Sequence, residues 1–451
     1  MLQNLLSLQL IDVGGSIALG FLDKFIGILI GAVGITGLGI IIYCLILKTV
    51  MLPLDIWQKV SMRKQSLKME EMRGQLEKLQ QQYANTPDLY QRKVQEVYKQ
   101  NGYNMFSSCI PMIVSIVILF VAFGSLTTYS QSMNLEVYKG MAKAYNAVIE
   151  QAVDEDAPAT AYESDSEYNK YESADTEKYI YFIALKTDKN AGREYFVNAA
   201  RLEAVQPEIF AGVAEADKQK TAEEFVAKEC AAAAAKEYAA RKTQDNEGIS
   251  FLLTQNIFYP DVAWAHPLQS YKDFKSSITK KIVTDAGDEI TIGDFIDEET
   301  YNILTSELSE EKKTPNGYFI IVALTILSSL ASQLIMMRSQ KAQRELQTAD
   351  ATSQSMSKWM MFMMPVLFCI FAFIYSAAFS LYMITSSLYS LVTMVIVNRI
   401  IDGIFKKKEQ QREIIRASGR QAYTRDWEAN ARIRAEREKA QQSGKDPRKK
   451  K

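Results

Sequence analysis

Long apolar runs alternate with charged segments along this chain and divide it into blocks. The runs cover Phe21–Val33, Gly37–Trp57, Cys109–Leu126, Tyr318–Met337 and Trp359–Val397. A helix crossing the hydrocarbon needs about 20 mainly apolar residues, and the last run is about twice that. It is therefore predicted to fold back at Tyr375-Ser-Ala-Ala-Phe379. The pattern predicts five spans, at 36–57, 107–130, 317–337, 359–376 and 379–401. Phe21–Val33 is too short to cross, and with Asp23 and Lys24 near its start it reads as an amphipathic helix in the interface, closing an N-terminal segment 1–35.

The connections differ as much as the runs do. Residues 58–106 read as a helical hairpin: Met69, Met72, Leu76 and Leu79 repeat at three and four residues on one charged helix, Ala84-Asn-Thr-Pro-Asp88 breaks it, and Leu89–Gln100 forms the second helix before Asn101-Gly102. Two readings of that stripe are open. Either the hairpin buries it internally, or its methionines, which adapt to varied surfaces, receive another polypeptide as a client-docking site. Residues 131–313 are too long for a connector and read as an α+β domain. Helices are predicted at Leu135–Ala152 and Ala222–Arg241, β-rich stretches at Lys178–Lys186, Glu194–Asn198 and Glu289–Ile292, and a mobile acidic strip at Tyr162–Tyr181.

Charge orients this arrangement. The hairpin carries nine basic and five acidic residues, the loop 338–358 four and two, and the tail 402–451 sixteen and eight. Residues 131–313 hold twenty basic and thirty-five acidic, a net of −15. Short basic segments stay cytoplasmic, so the acidic domain is expected outside, with the N-terminus outside and the C-terminus inside. The overall charge of −1 is thus a cancellation between compartments. The first twenty residues lack a basic signal region, and no cysteine there offers a lipid anchor. Cys44, Cys109 and Cys369 fall in spans and Cys230 stands alone in the outer domain, so no disulfide framework is expected. The tail begins helically with Lys406, Lys407, Lys408, Arg412 and Arg416, and its charge runs on far beyond what anchoring requires. Such a tail suits anionic lipid or ribosomal RNA.

Bond-making chemistry is not indicated. The single histidine, His266 in Trp-Ala-His-Pro, has no ligand partner at metal spacing, and no glycine-rich phosphate loop precedes a Lys-Ser/Thr pair. No enzyme, metal or cofactor is expected. What remains is polarity inside the spans. Lys48 lies about 18 Å along its helix, with Asp55 seven residues on, on the same face. A charge at that depth costs roughly 2.5–3.5 kcal/mol on insertion scales and usually faces protein or water. Snorkelling to the interface and pairing with Asp55 are the plain alternatives to a functional role. Ser115, Ser332, Gln333, Thr385 and Ser387 add polarity on other spans and suit a hydrated cavity around Lys48.

These residues carry a resemblance. The run Ile40-Ile-Ile-Tyr-Cys-Leu-Ile-Leu-Lys-Thr-Val-Met-Leu-Pro-Leu54 resembles the first core span of the YidC-type membrane protein insertases. The hairpin leading into Tyr98-Lys-Gln-Asn-Gly-Tyr-Asn104 with Cys109-Ile-Pro111 is similar too, as are Met360–Pro365, Phe379-Ser-Leu-Tyr-Met383 and Val397-Asn-Arg399, all in family order over about 37–130 and 317–400. The resemblance implies an all-α polytopic core of five transmembrane helices around a hydrophilic groove open to cytoplasm and lipid, with a cytoplasmic hairpin, here joined to an inserted extracytoplasmic α+β domain. Lys48 stands where the family usually has Arg, Ser115 where it has Gln, and Ser387 where it has Asn. Gram-negative members carry their large outer domain before the first core span, whereas here it lies between the second and third. The implied activity is movement of short polar flanks of nascent membrane proteins through the groove and release of their transmembrane helices into lipid. The implied partners are nascent chains, the ribosome, membrane lipids and the Sec translocon. A chaperone or assembly factor working beside that translocon is the alternative.

Overall fold

The computed structural model describes residues 8–103, 106–162, 166–190, 192–243, 248–339, 363 and 366–442. Helix α1 (Phe21–Val33) coincides with the short apolar run; it buries Ile26 and Ile30 and leaves Phe21 and Ile28 exposed. Helix α2 (Thr36–Gln82) joins the first apolar run to the hairpin without a break. Pro53 lies inside it and cannot donate to the Thr49 carbonyl one turn back.

Helix α3 (Pro87–Gln100) starts on a proline at its first position, where the missing N–H is no loss, and ends where Asn101 Nδ2 donates to the Val97 carbonyl at 2.9 Å and Gly102 takes a left-handed φ of +58°. The hairpin closes on itself. Met69, Met72 and Leu76 are buried against Val94, Tyr90 and Tyr98, and Leu79 is partly buried. A docking surface made of this stripe is therefore corrected: α3 supplies the apolar partner, and the face left outward is charged, as in the Arg73–Glu77 pair at 2.8 Å.

Helix α4 (Phe106–Ala152) likewise runs unbroken from an apolar half into the domain above it. That domain, here called the head, holds two antiparallel sheets. One is β2 (Ala159–Ala161), β3 (Tyr168–Tyr171), β4 (Ile180–Leu185) and β5 (Glu194–Val197) in chain order; the other is β1 (Ser16–Ile17), β6 (Ile282–Val283) and β7 (Glu289–Ile290). The expected mobile acidic strip is corrected in part. Tyr168–Tyr171 pairs with β4, where Tyr171 stacks on Phe182 at 4.5 Å and Lys170 meets Glu172 at 2.8 Å; residues 163–165 lie outside the described set. Helices α5 (Ala199–Val205), α6 (Lys218–Thr243), α7 (Tyr271–Ser277), α8 (Ile292–Phe295) and α9 (Glu298–Leu304) complete the head.

The N-terminal tail belongs to the head. Besides pairing β1 with β6, it bridges Leu8 to Tyr195, and Ile11 exchanges two hydrogen bonds with Asn146 at 2.9 and 2.8 Å. His266 serves this domain structurally, its Nδ1 lying 2.9 Å from the Thr314 carbonyl oxygen.

The remaining helices are α10 (Ile320–Ser339), α11 (366–374) and α12 (Ala377–Gln442). Chain reversal falls at Tyr375–Ser376, the predicted corner, and α12 continues without a break into the basic tail. Lys407 is exposed on it. Three helices among the described residues are long and apolar enough to cross a membrane, within Thr36–Gln82, Ile113–Ala152 and Ala377–Phe405, and Ile320–Met336 is a shorter apolar helix. Most of the fourth predicted span's first half, with the loop before it, lies outside the described residues.

One head segment, 256–262, fastens the head to the spans. The orphan N–H groups that begin a helix need acceptors. Asp261 Oδ2 accepts from Ile321 N at 2.6 Å at the start of α10, while the carbonyls of Tyr259 and Ile257 accept from Ala377 N and Ala378 N, each at 2.9 Å, at the start of α12. Buried Asn316 locks the segment, receiving the Asn256 N–H at 2.8 Å and donating to the Asn256 and Pro260 carbonyls at 2.9 and 2.8 Å. Gly317 fits against this knot only because it lacks a side chain, since a Cβ there would sit 1.7 Å from Asp261 Oδ1.

Candidate functional site

Four helices bring polar side chains to a common groove, and a fifth adds an aromatic wall. From α2 come Lys48, Met51 and Asp55, and from α4 Ser115, Ile116 and Leu119. Helix α10 contributes Ser329, Ser332 and Gln333, α11 Phe368, and α12 Tyr382, Met383, Ser386, Ser387 and Ser390. Spacings of three and four put each set on one helix face. Apolar residues occupy the opposite faces, as with Leu327 and Leu334 on α10 and Leu388 and Val392 on α12, all exposed. The groove has a volume of about 290 Å³ around these side chains.

A second lobe of about 310 Å³ shares Lys48, Asp55 and Ser390 with the first and extends toward the hairpin along Gln58, Lys59, Met62 and Arg63 of α2 and Thr393, Asn398 and Asp402 of α12. The polar path therefore runs from mid-helix to the hairpin end. Toward the head it stops at an aromatic cluster. Phe123 meets Tyr375 edge-on at 4.3 Å and Phe379 at 4.8 Å, and Phe371 lies parallel to it at 6.1 Å.

Hydrogen bonds hold the helices that form the walls. Thr325 Oγ1 donates to the Ser380 carbonyl at 3.2 Å and Ser332 Oγ to the Ser387 carbonyl at 3.5 Å, joining α10 to α12. Tyr389 Oη donates to Thr49 Oγ1 at 3.3 Å and Cys44 Sγ to the Tyr382 carbonyl at 3.5 Å, joining α12 to α2. Buried Ser329 Oγ has no partner among the described residues. Lys48 is half-buried, and no ion pair closes between it and Asp55 among the described residues. Lys48 and Asp55 together line both lobes of the cavity.

Of the residues singled out from sequence, Lys48, Ser115, Ser332, Gln333 and Ser387 meet in this groove. Thr385 does not, and is corrected: it is buried with its hydroxyl donating back to the Leu381 carbonyl at 2.9 Å, which satisfies the helix rather than the cavity. Sequence reasoning missed Tyr382 and the part of the second lobe beyond Lys48, Asp55, Ser390 and Thr393. Gln58, Arg63 and Asn398 could have been found by continuing the Lys48 face along α2 and the Ser390 face along α12.

Hydroxyls both donate and accept, so such a wall can stand in for water against either the N–H or the C=O of a peptide. An ammonium adds attraction for acidic groups. Nothing in the groove suits a metal, and no group of three or more metal-ligating side chains occurs among the described residues.

Comparison with known proteins places the chain among described relatives. The family model described as 60Kd inner membrane protein matches residues 28–153 and 281–406. The stretch between the two matched segments, 154–280, falls wholly within the head. The membrane protein insertase YidC of Fusobacterium nucleatum is 36% identical over 94 residues, 21% of this chain and 44% of that protein. The proteins of the same name from Clostridium perfringens (33% over 84 residues, 19% of this chain and 34% of that one) and Enterococcus faecalis (32% over 98, 21% and 34%) are similar as well. The matched segments span less than half the length of these relatives. No solved structure matches the chain. The family match covers more than half of the sequence and takes in both walls of the groove, α2 with α4 and α10 with α12, and the chain belongs to the 60Kd inner membrane protein family.

Proposed function

We propose that the chain is a membrane protein insertase with five spans, its hairpin and basic tail in the cytoplasm and its head outside. The observation that carries this reading is the groove itself, a polar cavity that reaches the hairpin end, is closed toward the head, and holds Lys48 in both of its lobes. A nascent chain enters from the hairpin end, and its short polar flank is solvated by Lys48 and the serine hydroxyls part-way across. Its apolar segment then leaves sideways into lipid. That transfer is driven by burial of apolar surface, about 25 cal/mol per Å², so no nucleotide and no bond chemistry are required. The basic helix beyond Phe405 docks on the ribosome or on anionic lipid.

Purified protein reconstituted alone in liposomes is expected to insert a single-span client with a short acidic flank. Lys48→Arg keeps that activity. Lys48→Glu lowers it at least about fivefold, as expected from a charge reversal whose contact energy is roughly 1 kcal/mol even in water-like surroundings. Equal insertion by Lys48→Glu removes the groove charge from the mechanism. Failure of the unmodified protein to insert any such client favours instead a chaperone acting beside the Sec translocon.

A further inference from the structure

The largest of the cavities described here lies on the other side of the aromatic cluster. It has a volume of about 530 Å³ and is walled by Thr127, Gln131 and Asn134 of α4, by Ser276 and Lys280 of the head, and by Ser376 at the corner before α12. Its floor is Phe123 and Tyr375, the residues that close the groove below.

Position on α4 ties the two cavities together. Ser115 and Leu119 line the groove, Phe123 is in the barrier, and Thr127 and Gln131 line the upper cavity. These five residues are spaced by four, so they form one continuous stripe about 24 Å from end to end that winds by about 160° around α4, from the groove to the upper cavity. The stripe is polar, then apolar, then polar. A segment that slides along it past the aromatic cluster arrives in the upper cavity.

The upper cavity is also a built site. Gln131 Oε1 accepts from Thr279 N and Lys280 N, each at 3.1 Å, and its Nε2 donates to Thr279 Oγ1 at 3.1 Å, which holds the head segment as a wall. Ser130 and Ser376 lie 3.4 Å apart and tie that wall to the corner. Asn134, only 5% exposed, lines the same cavity, with its Oδ1 buried and without a partner among the described residues. Lys280 places a cation there, within a domain whose net charge is −15.

We propose that this cavity is the receiving site for the polar flank of a client on the outer side, an extended polypeptide whose backbone meets the Thr127 and Ser276 hydroxyls and whose acidic side chains meet Lys280. The inference rests on the insertase reading above. Mixed donors and acceptors beside one cation suit a peptide better than a phosphate headgroup, which calls for converging cations or N–H groups.

The test places a photoreactive phenylalanine at Ser115, Thr127 or Ser276 of the full-length protein in membranes, against stalled clients with acidic flanks of increasing length. Short flanks are expected to crosslink at position 115 alone, and longer ones also at 127 and 276. Lys280→Glu is expected to reduce the yield at 276 several-fold for acidic flanks and not for neutral ones. Ser276 is exposed, so a label there avoids the packing risk at Thr127. Crosslinks at 115 with none at 127 or 276 for any flank length overturn the receiving site and leave the groove reading intact. Lipid adducts alone at 276 also overturn it, by making the cavity a headgroup site. No client crosslink at any of the three positions overturns both.

Discussion

In the head, Phe182 is fully buried and Tyr138 and Tyr301 are each 1% exposed, whereas on the spans Val117, Leu327 and Val392 stand 56%, 63% and 61% exposed. Polar groups show the reverse. The head keeps most of its charges at or near its surface, in part-buried ion pairs such as Lys218–Glu203 and Lys242–Glu311, at 2.8 and 3.0 Å, while the spans turn serines, Lys48 and Asp55 inward. Every ion pair among the described residues lies in the hairpin or the head. One chain therefore obeys two solvents. Water on the head drives apolar groups in. Lipid around the spans lets apolar groups stay out, so the interior is free to be polar.

That contrast can be broken most strongly at matched residues on the two sides. Phe182→Ala is expected to destabilise the head by about 3–5 kcal/mol, through lost burial and the cavity left behind. Val392→Ala, on the outward face of α12, should change stability in a bilayer by less than about 0.5 kcal/mol. Limited proteolysis of the head and thermal unfolding in nanodiscs measure both. Equal effects would mean that the outward face of α12 is covered by protein rather than lipid.

A smaller effect is expected where the two regions join. Gly317→Ala pushes a methyl group into Asp261, and overpacking of this kind typically destabilises by about 1–3 kcal/mol. Because Asp261 also receives the first N–H groups of α10, the variant should loosen the head relative to the spans, read as faster hydrogen exchange at Ile321 and Val322. Unchanged exchange there would show that the joint is held elsewhere.

The smallest concerns the head alone. Asp297 caps α9, with Thr300 N donating to Oδ1 at 2.7 Å and Thr300 Oγ1 to Oδ2 at 2.9 Å, and the Thr300 N–H leads the contacts that hold its carboxyl below the usual range. A depressed carboxyl stabilises the fold above its unfolded value and loses that contribution as pH falls through the folded value. Asp297→Ala should therefore destabilise by about 1 kcal/mol at neutral pH and by less in acid. A loss that does not shrink in acid would assign the effect to packing.

Sequence made the membrane blocks legible because the signal is one-dimensional: a run of apolar residues long enough to cross is visible without knowing its neighbours. The groove was legible in part for the same reason, since Lys48 is conspicuous in any apolar run, and Ser115, Ser332, Gln333 and Ser387 stand out as polar breaks. Thr385 was not separable from Ser386 and Ser387 by composition. A hydroxyl can turn to its own helix or to the cavity, and only the rotation of α12 against α10 and α2 decides which. The Met69–Met72–Leu76 stripe was ambiguous in the same way until α3 was seen lying on it.

By itself, then, the chain's sequence determined the positions of the apolar runs, the charge asymmetry between 131–313 and the other connections, and the presence of Lys48 deep in the first predicted span. Local periodicity and solvent transfer are enough for each of these. Tertiary structure alone decided that the N-terminal tail belongs to the head, that segment 256–262 caps two distant helices, and that polar stripes from separate helices meet in one groove below an aromatic barrier. Those outcomes depend on contacts between residues tens to hundreds of positions apart, and no local pattern encodes which faces will meet.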